Sequence, residues 1–265
     1  MRTLVIVVLL AASTAHADRP VSRLVETRLV ARGEFLSPQF SPDGRSLLVS
    51  GPAMRGLYVA PIDPATGQAA GAVRQLTADP EAGVHARWAA DGSVNYRAHR
   101  AGTRRDLAID RNGQIRTATI AAPVAFARDD RMYVQRAGKL VQIGSGDRFF
   151  GAVVAPDGDK VVFQGLVTGL HVYTRSTGVL VHVGAGTAPA WSPDSKRLVF
   201  EVTEDDGHEL VGSDLYLYEV AADHVSPLTA TDHILERHPS FSPDGTRIAF
   251  DDNQGSVLVG RLENR

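Results

Sequence analysis

The stretch "FSPDGTRIAFD", Phe241 to Asp251, joins an aromatic residue to Ser-Pro-Asp-Gly and then to a short apolar run. Pro presets φ at a turn position, Ser and Asp oxygens can hold nearby backbone N–H groups, and Gly accepts a left-handed conformation. Arg247-Ile248-Ala249-Phe250 then has the composition of a strand. The phrase reads as strand, tight turn, strand.

It recurs along the chain. "FSPDGRSLLVS" begins at Phe40, "WAADGSVNYRA" at Trp88, "FARDDRMYVQR" at Phe126, "VAPDGDKVVFQ" at Val154 and "WSPDSKRLVFE" at Trp191. The anchors stand about 40 residues apart on average, the period of four-stranded propeller blades. Ala90 takes the place of Pro in the second copy, and Asp130 and Ser195 that of Gly in the third and fifth. Asp tolerates positive φ better than most residues, so Ser195 is the larger departure. Strand-turn-strand segments such as "GLYVAPIDPATGQ" and "DLYLYEVAADHVSPLT" follow the anchors.

These features predict an all-β fold, a six-bladed β-propeller of four-stranded blades. After Phe250 there is room for one more strand only, while "SRLVETRLVAR", residues 22–32, has no partner of its own. Pairing this N-terminal strand with "SVLVGRL" of the last blade closes the ring and leaves no raw sheet edge. The third unit, Phe126 to Val154, is compressed, which predicts shortened turns or a missing outer strand.

The N-terminus has a different character. Arg2 precedes an apolar run, Leu4 to Ala12, and Ala15-His16-Ala17 forms a small-x-small site. This is the layout of a signal peptide over residues 1–17, cleaved after Ala17. The run is too short to span a bilayer, which takes about 20 residues. Residues 18–265 then form a single propeller domain, periplasmic or secreted, with no membrane insertion. The chain has no Cys, which excludes disulfides and thiolate metal sites. A net charge of -2 gives the whole chain no drive toward nucleic acid.

The aromatic-Ser-Pro-Asp-Gly phrases resemble the TolB-type β-propeller repeats, a WD-like group, over nearly all of the mature chain. The resemblance implies an envelope protein that docks a protein partner through its propeller. The family's namesake carries a smaller α/β domain ahead of its propeller. Only residues 18–39 separate the cleavage site from Phe40 here, so the expectation is a TolB-like propeller without that domain.

Six copies of Ser-Pro-Asp-Gly around a ring point to architecture rather than catalysis, so Ser242 and Asp244 are read as turn residues and Phe241 as core. Nucleophile elbow, P-loop, H-E-x-x-H and EF-hand patterns are all missing from the sequence. No catalytic or metal-ligating residue is assigned, and no cofactor is expected.

His85 and His238 each stand three residues before an anchor, Trp88 and Phe241. In a propeller that position lies where the chain enters the innermost strand, at the rim of the central channel. Charge is also uneven. Residues 97–148 hold 11 Lys and Arg against 5 acids, and residues 194–223 hold 9 acids against 2 bases. Units two and five lie opposite each other in a six-membered ring, so such bands could orient a charged partner.

The leading expectation is a monomeric, non-enzymatic module that binds a protein or peptide in the cell envelope at the channel mouth. The candidate contacts are His85, Arg87, Arg237 and His238, with Arg104, Arg105, Asp205 and Asp206 at the periphery. The alternative is a metal-dependent hydrolase or lyase acting on a sugar or lactone in the channel, since some related propellers hold a metal at such a place through His.

Overall fold

A computed structural model of the chain describes residues 22–100, 102–119, 123–232 and 234–263. The export segment read at residues 1–17 lies outside them. The described chain forms six antiparallel sheets arranged as the blades of a ring, the propeller that the repeats predicted. Helix is confined to two single turns, Pro52–Met54 and Ala82–His85.

The first blade shows the plan. Its inner strand, Leu36–Phe40, runs into the Ser-Pro-Asp-Gly turn and is followed by Ser46–Ser50, Leu57–Pro61 and Arg74–Thr77 in order outward. Blades two, four, five and six also have four strands, and the third has three among the described residues: Ala125–Arg128, Arg131–Arg136 and Lys139–Ile143. The compressed third unit thus shows no outer strand among the described residues. The sixth blade takes its outermost strand from the N-terminus, where Arg23–Arg32 pairs antiparallel with Ser256–Glu263. Ring closure therefore joins the two ends of the propeller.

The turns are built as the sequence implied. Ser41, Ser192 and Ser242 donate their hydroxyls to Asp43, Asp194 and Asp244 at 2.6, 2.6 and 2.5 Å. Each serine oxygen in turn accepts the backbone N–H of the residue that resumes the strand, Ser46, Arg197 or Arg247. Serine and aspartate are consumed by the turn. Ser195 adopts φ 59, a left-handed conformation, and is buried. Its hydroxyl accepts the Asp157 N–H of the neighbouring blade at 2.9 Å. A contact between blades thus accounts for a side chain where Gly was expected.

Core packing runs from blade to blade. Leu47, Val49, Val257 and Val259 pack the sixth blade on the first, and Leu48, Leu57, Tyr96 and Ala98 the first on the second. Comparable clusters join the third to the fourth, the fourth to the fifth and the fifth to the sixth. Trp191 and Phe241 are buried in two of them, while Phe40 and Trp88 pack at cluster edges. Phe126 is half-buried and stacks on Tyr133 with 5.7 Å between ring centroids.

Candidate functional site

The propeller order puts two sets of loops on one face. Each chain segment entering an inner strand lies on the same face as the hairpin between the second and third strands, opposite the Ser-Pro-Asp-Gly turns. His85, Arg87, Arg237 and His238 are at the entry of inner strands, and Arg104, Arg105, Asp205 and Asp206 are at second-to-third-strand hairpins. All the sequence-predicted residues therefore share a face.

They do not form one constellation. A cavity of about 550 Å³ lies where inner strands converge, with Ser37, His85, Arg87, Ala188, Trp191 and His238 among its walls. Arg237 pairs in register with Asp251 and stands beside this cavity rather than on its wall. Arg104 and Arg105 are exposed on the second blade. Asp205 and Asp206 are exposed on the fifth and hold their own hairpin. Asp205 accepts the Gly207 N–H at 2.9 Å, and Asp206 accepts those of His208 and Glu209 at 2.8 Å each. These bonds hold the Asp206 carboxyl below its usual range.

The channel wall has a feature the sequence reading missed. Ser37, Ala188 and His238 adopt φ 54, 49 and 49, and each precedes a proline. Each sits at a register shift between its inner strand and the next, a bulge that re-aims the side chain. Left-handed φ is uncommon for residues other than Gly, so the position needs support. Two carboxylates of the preceding blades supply it. Glu201 accepts the His238 backbone N–H at 2.6 Å, and Asp251 accepts that of Ser37 at 2.8 Å. Leu36-Ser37-Pro38 and Arg237-His238-Pro239 show the pattern as x-Pro three and two residues ahead of the anchor.

The two histidines differ in environment. His238 Nδ1 donates to Asp251 at 3.0 Å. Burial works against a charged His238, but the Asp251 hydrogen bond and charge, together with Glu201, outweigh it and raise its pKa. His85 goes the other way, lowered first by burial and then by the charges of Arg97, Arg104 and Arg87. Among the described residues no group of three or more His, Asp, Glu or Cys is placed to hold a metal ion.

A buried acid also escaped the sequence reading. Glu236 lies just before Arg237, accepts a hydrogen bond from the Thr229 hydroxyl and is 3% exposed. Burial, helped by the charge of Asp214 and opposed by the Thr229 bond, pushes its carboxyl up to about 7. A polar residue beside a loop carries no sequence signal for burial.

No protein-family model matches the chain, and no curated protein matches it in sequence. Solved structures do. TolB from Acinetobacter baumannii aligns at 18% identity with a TM-score of 0.38, over 87% of this chain and 55% of that one. The tricorn protease aligns at 16% identity with a TM-score of 0.53, over 88% of this chain and 26% of that one. A chain of the mitotic checkpoint complex aligns at 13% identity with a TM-score of 0.54, over 98% of this chain and 99% of that one. The chain thus spans little more than half of TolB and about a quarter of the tricorn protease. At these identities the likeness is one of fold. No helix among the described residues is long and apolar enough to cross a membrane.

Proposed function

We propose that the chain is an exported, non-enzymatic docking propeller that binds a protein or peptide partner of the cell envelope at its channel mouth. The observation that carries this reading is the cavity of about 550 Å³ on whose walls His85, Arg87 and His238 meet. It is of the size that receives a side chain or short segment. Around it, on the same face, the basic second blade and the acidic fifth blade lie across the ring from each other. Such opposed fields favour a partner in one orientation and speed its encounter. The checkpoint-complex chain with this fold is itself part of a protein assembly, in keeping with a docking role.

Capture from an envelope extract tests the reading. The mature protein should retain a partner with an association rate that falls as salt rises. Arg104→Glu with Arg105→Glu should slow that association and flatten its salt dependence. Identical rates and salt slopes in the variant and the parent would remove this face from consideration.

A further inference from the structure

The seam between the second and third blades is built differently from the rest. Buried apolar clusters fill the seams between the sixth and first blades, the first and second, and onward from the third to the sixth. Among the described residues none joins the second blade to the third. The reason lies in the alternation of one strand. In Val94–Arg100, Val94, Tyr96 and Ala98 pack toward the first blade. Asn95 and Arg97 fall on the other side, where the other blades carry apolar residues.

A cavity of about 390 Å³ lies along this side of the second blade, with His85, Arg87, Trp88, Asn95, Arg97 and Asp106 among its walls. His85 and Arg87 also line the central cavity, so the two spaces adjoin. No described residue of the third blade lines this cavity. That blade's Ala125, Met132 and Val134 pack toward the fourth blade. Phe126 and Tyr133, paired in register, lie on the opposite side of the blade, and the Arg128 guanidinium sits 5.2 Å from the Tyr133 ring centre.

The charges around the cavity do not cancel. Arg97 is paired with Asp106 at 2.6 Å, as Arg100 is with Asp79 at 2.7 Å. Arg87 and Arg104 have no such carboxylate among the described residues; Arg87 is on the cavity wall, and Arg104 is two residues from the wall residue Asp106, on the same face of its strand. Cations gathered beside an imidazole repel one another, and an anion placed among them relieves that repulsion. A guanidinium matches a carboxylate with two parallel N–H bonds.

We infer that this cavity on the second blade is a carboxylate-binding site and that it receives an acidic side chain of a peptide segment lying across the channel mouth. The peptide as source of the carboxylate rests on the docking function proposed above. The carboxylate would lie against Arg87 and Arg104, with Trp88 as one wall.

Trp88 reports on the site once Trp191, the other tryptophan, is replaced by Phe. Acetylated tetraglutamate is titrated into that protein, with acetylated tetraglutamine and glutarate as comparisons. The expected result is a saturable change in Trp88 fluorescence with tetraglutamate, weakened about tenfold or more by Arg87→Gln with Arg104→Gln. In the protein with both arginines, the His85 ring resonance should show a higher pKa with tetraglutamate bound, because a nearby anion favours imidazolium. That second measurement does not depend on the variant folding. Equal binding of tetraglutamine, or no saturable response to tetraglutamate, overturns the carboxylate site. Glutarate binding as tightly as tetraglutamate overturns the peptide source. No partner is used, so a protein that fails here and still captures a partner loses this inference alone.

Discussion

The His238 imidazole donates Nδ1–H to Asp251 at 3.0 Å, and that carboxylate is fully buried. Asp251 also accepts the Ser37 backbone N–H at 2.8 Å. One side chain therefore fixes the channel ends of two inner strands, in the sixth blade and the first, next to the point where the ring closes. Because Asp251 and Glu201 lift His238 more than burial depresses it, the folded pKa exceeds the unfolded value. A group of this kind adds stability that is fully present below its unfolded pKa of about 6.5 and is lost as pH rises through the folded value. The denaturant midpoint should fall on going from about pH 6 to about pH 8, and His238→Gln should reduce that slope. An unaltered slope in the variant would assign the titration to another group.

Glu236 bends the same curve at lower pH. Burial pushes its carboxyl up to about 7 in the folded chain, above the ordinary 4.5 of a glutamate. A raised acid is more readily protonated when folded, so its cost is absent below about 4.5 and grows as pH rises toward about 7. Glu236→Gln keeps an acceptor for the Thr229 hydroxyl and removes the charge. Near pH 8 the variant should be more stable than the parent by about 1–3 kcal/mol, and near pH 4 the two should coincide. Urea unfolding at the two pH values measures the difference, and a variant less stable at both would contradict a strained carboxylate.

Glu201 staples the fifth blade to the sixth. It accepts the His238 N–H at 2.6 Å and the Thr187 hydroxyl at 2.9 Å, and it is buried. Glu201→Ala leaves a part-buried N–H unpaired at a left-handed residue. The expected loss is about 2–3 kcal/mol, read from chemical denaturation. The amides of Arg237 and His238 should also exchange faster with solvent, because the bulge has lost its anchor. Unchanged exchange there would show that the bulge holds itself.

Six-bladed order, the turn chemistry and closure by residues 22–32 were all legible in the sequence, because each rests on local signals repeated at a fixed period. Asp91 shows how far such a signal reaches. Ala89 stands where other turns have serine, and the turn is rebuilt with Ser93 donating its hydroxyl to Asp91 at 2.6 Å. The channel position of His85 and His238 followed from their place in the repeat. Glu201 and Asp251 share one repeat position, the acidic end of "WSPDSKRLVFE" and "FSPDGTRIAFD", but their hold on the next blade, like the burial of Glu236, needed the ring. The cavity on the second blade was half legible. The basic surplus of residues 97–148 was visible, but its meeting with His85 needed the ring.

Phe241 and Ser242, adjacent in the opening phrase, separate core from turn. Phe241 is 8% exposed and packs with Leu217, Ile248 and Phe250, with the Arg197 guanidinium 5.5 Å from its ring centre. Phe241→Ala removes a ring that two blades share, and the surrounding strands can close the gap only in part. The expected cost is about 3–5 kcal/mol. Ser242 instead gives one hydroxyl to Asp244 and accepts one backbone N–H from Arg247. Ser242→Ala should cost about 1–2 kcal/mol, since the turn keeps its Pro and Gly. It should leave partner capture untouched, because the turn lies on the face opposite the channel mouth. Denaturant midpoints of both variants, with capture of the partner by Ser242→Ala, decide the matter. A Ser242→Ala protein that folds normally and captures nothing would return the serine to the functional site and place docking on the wrong face.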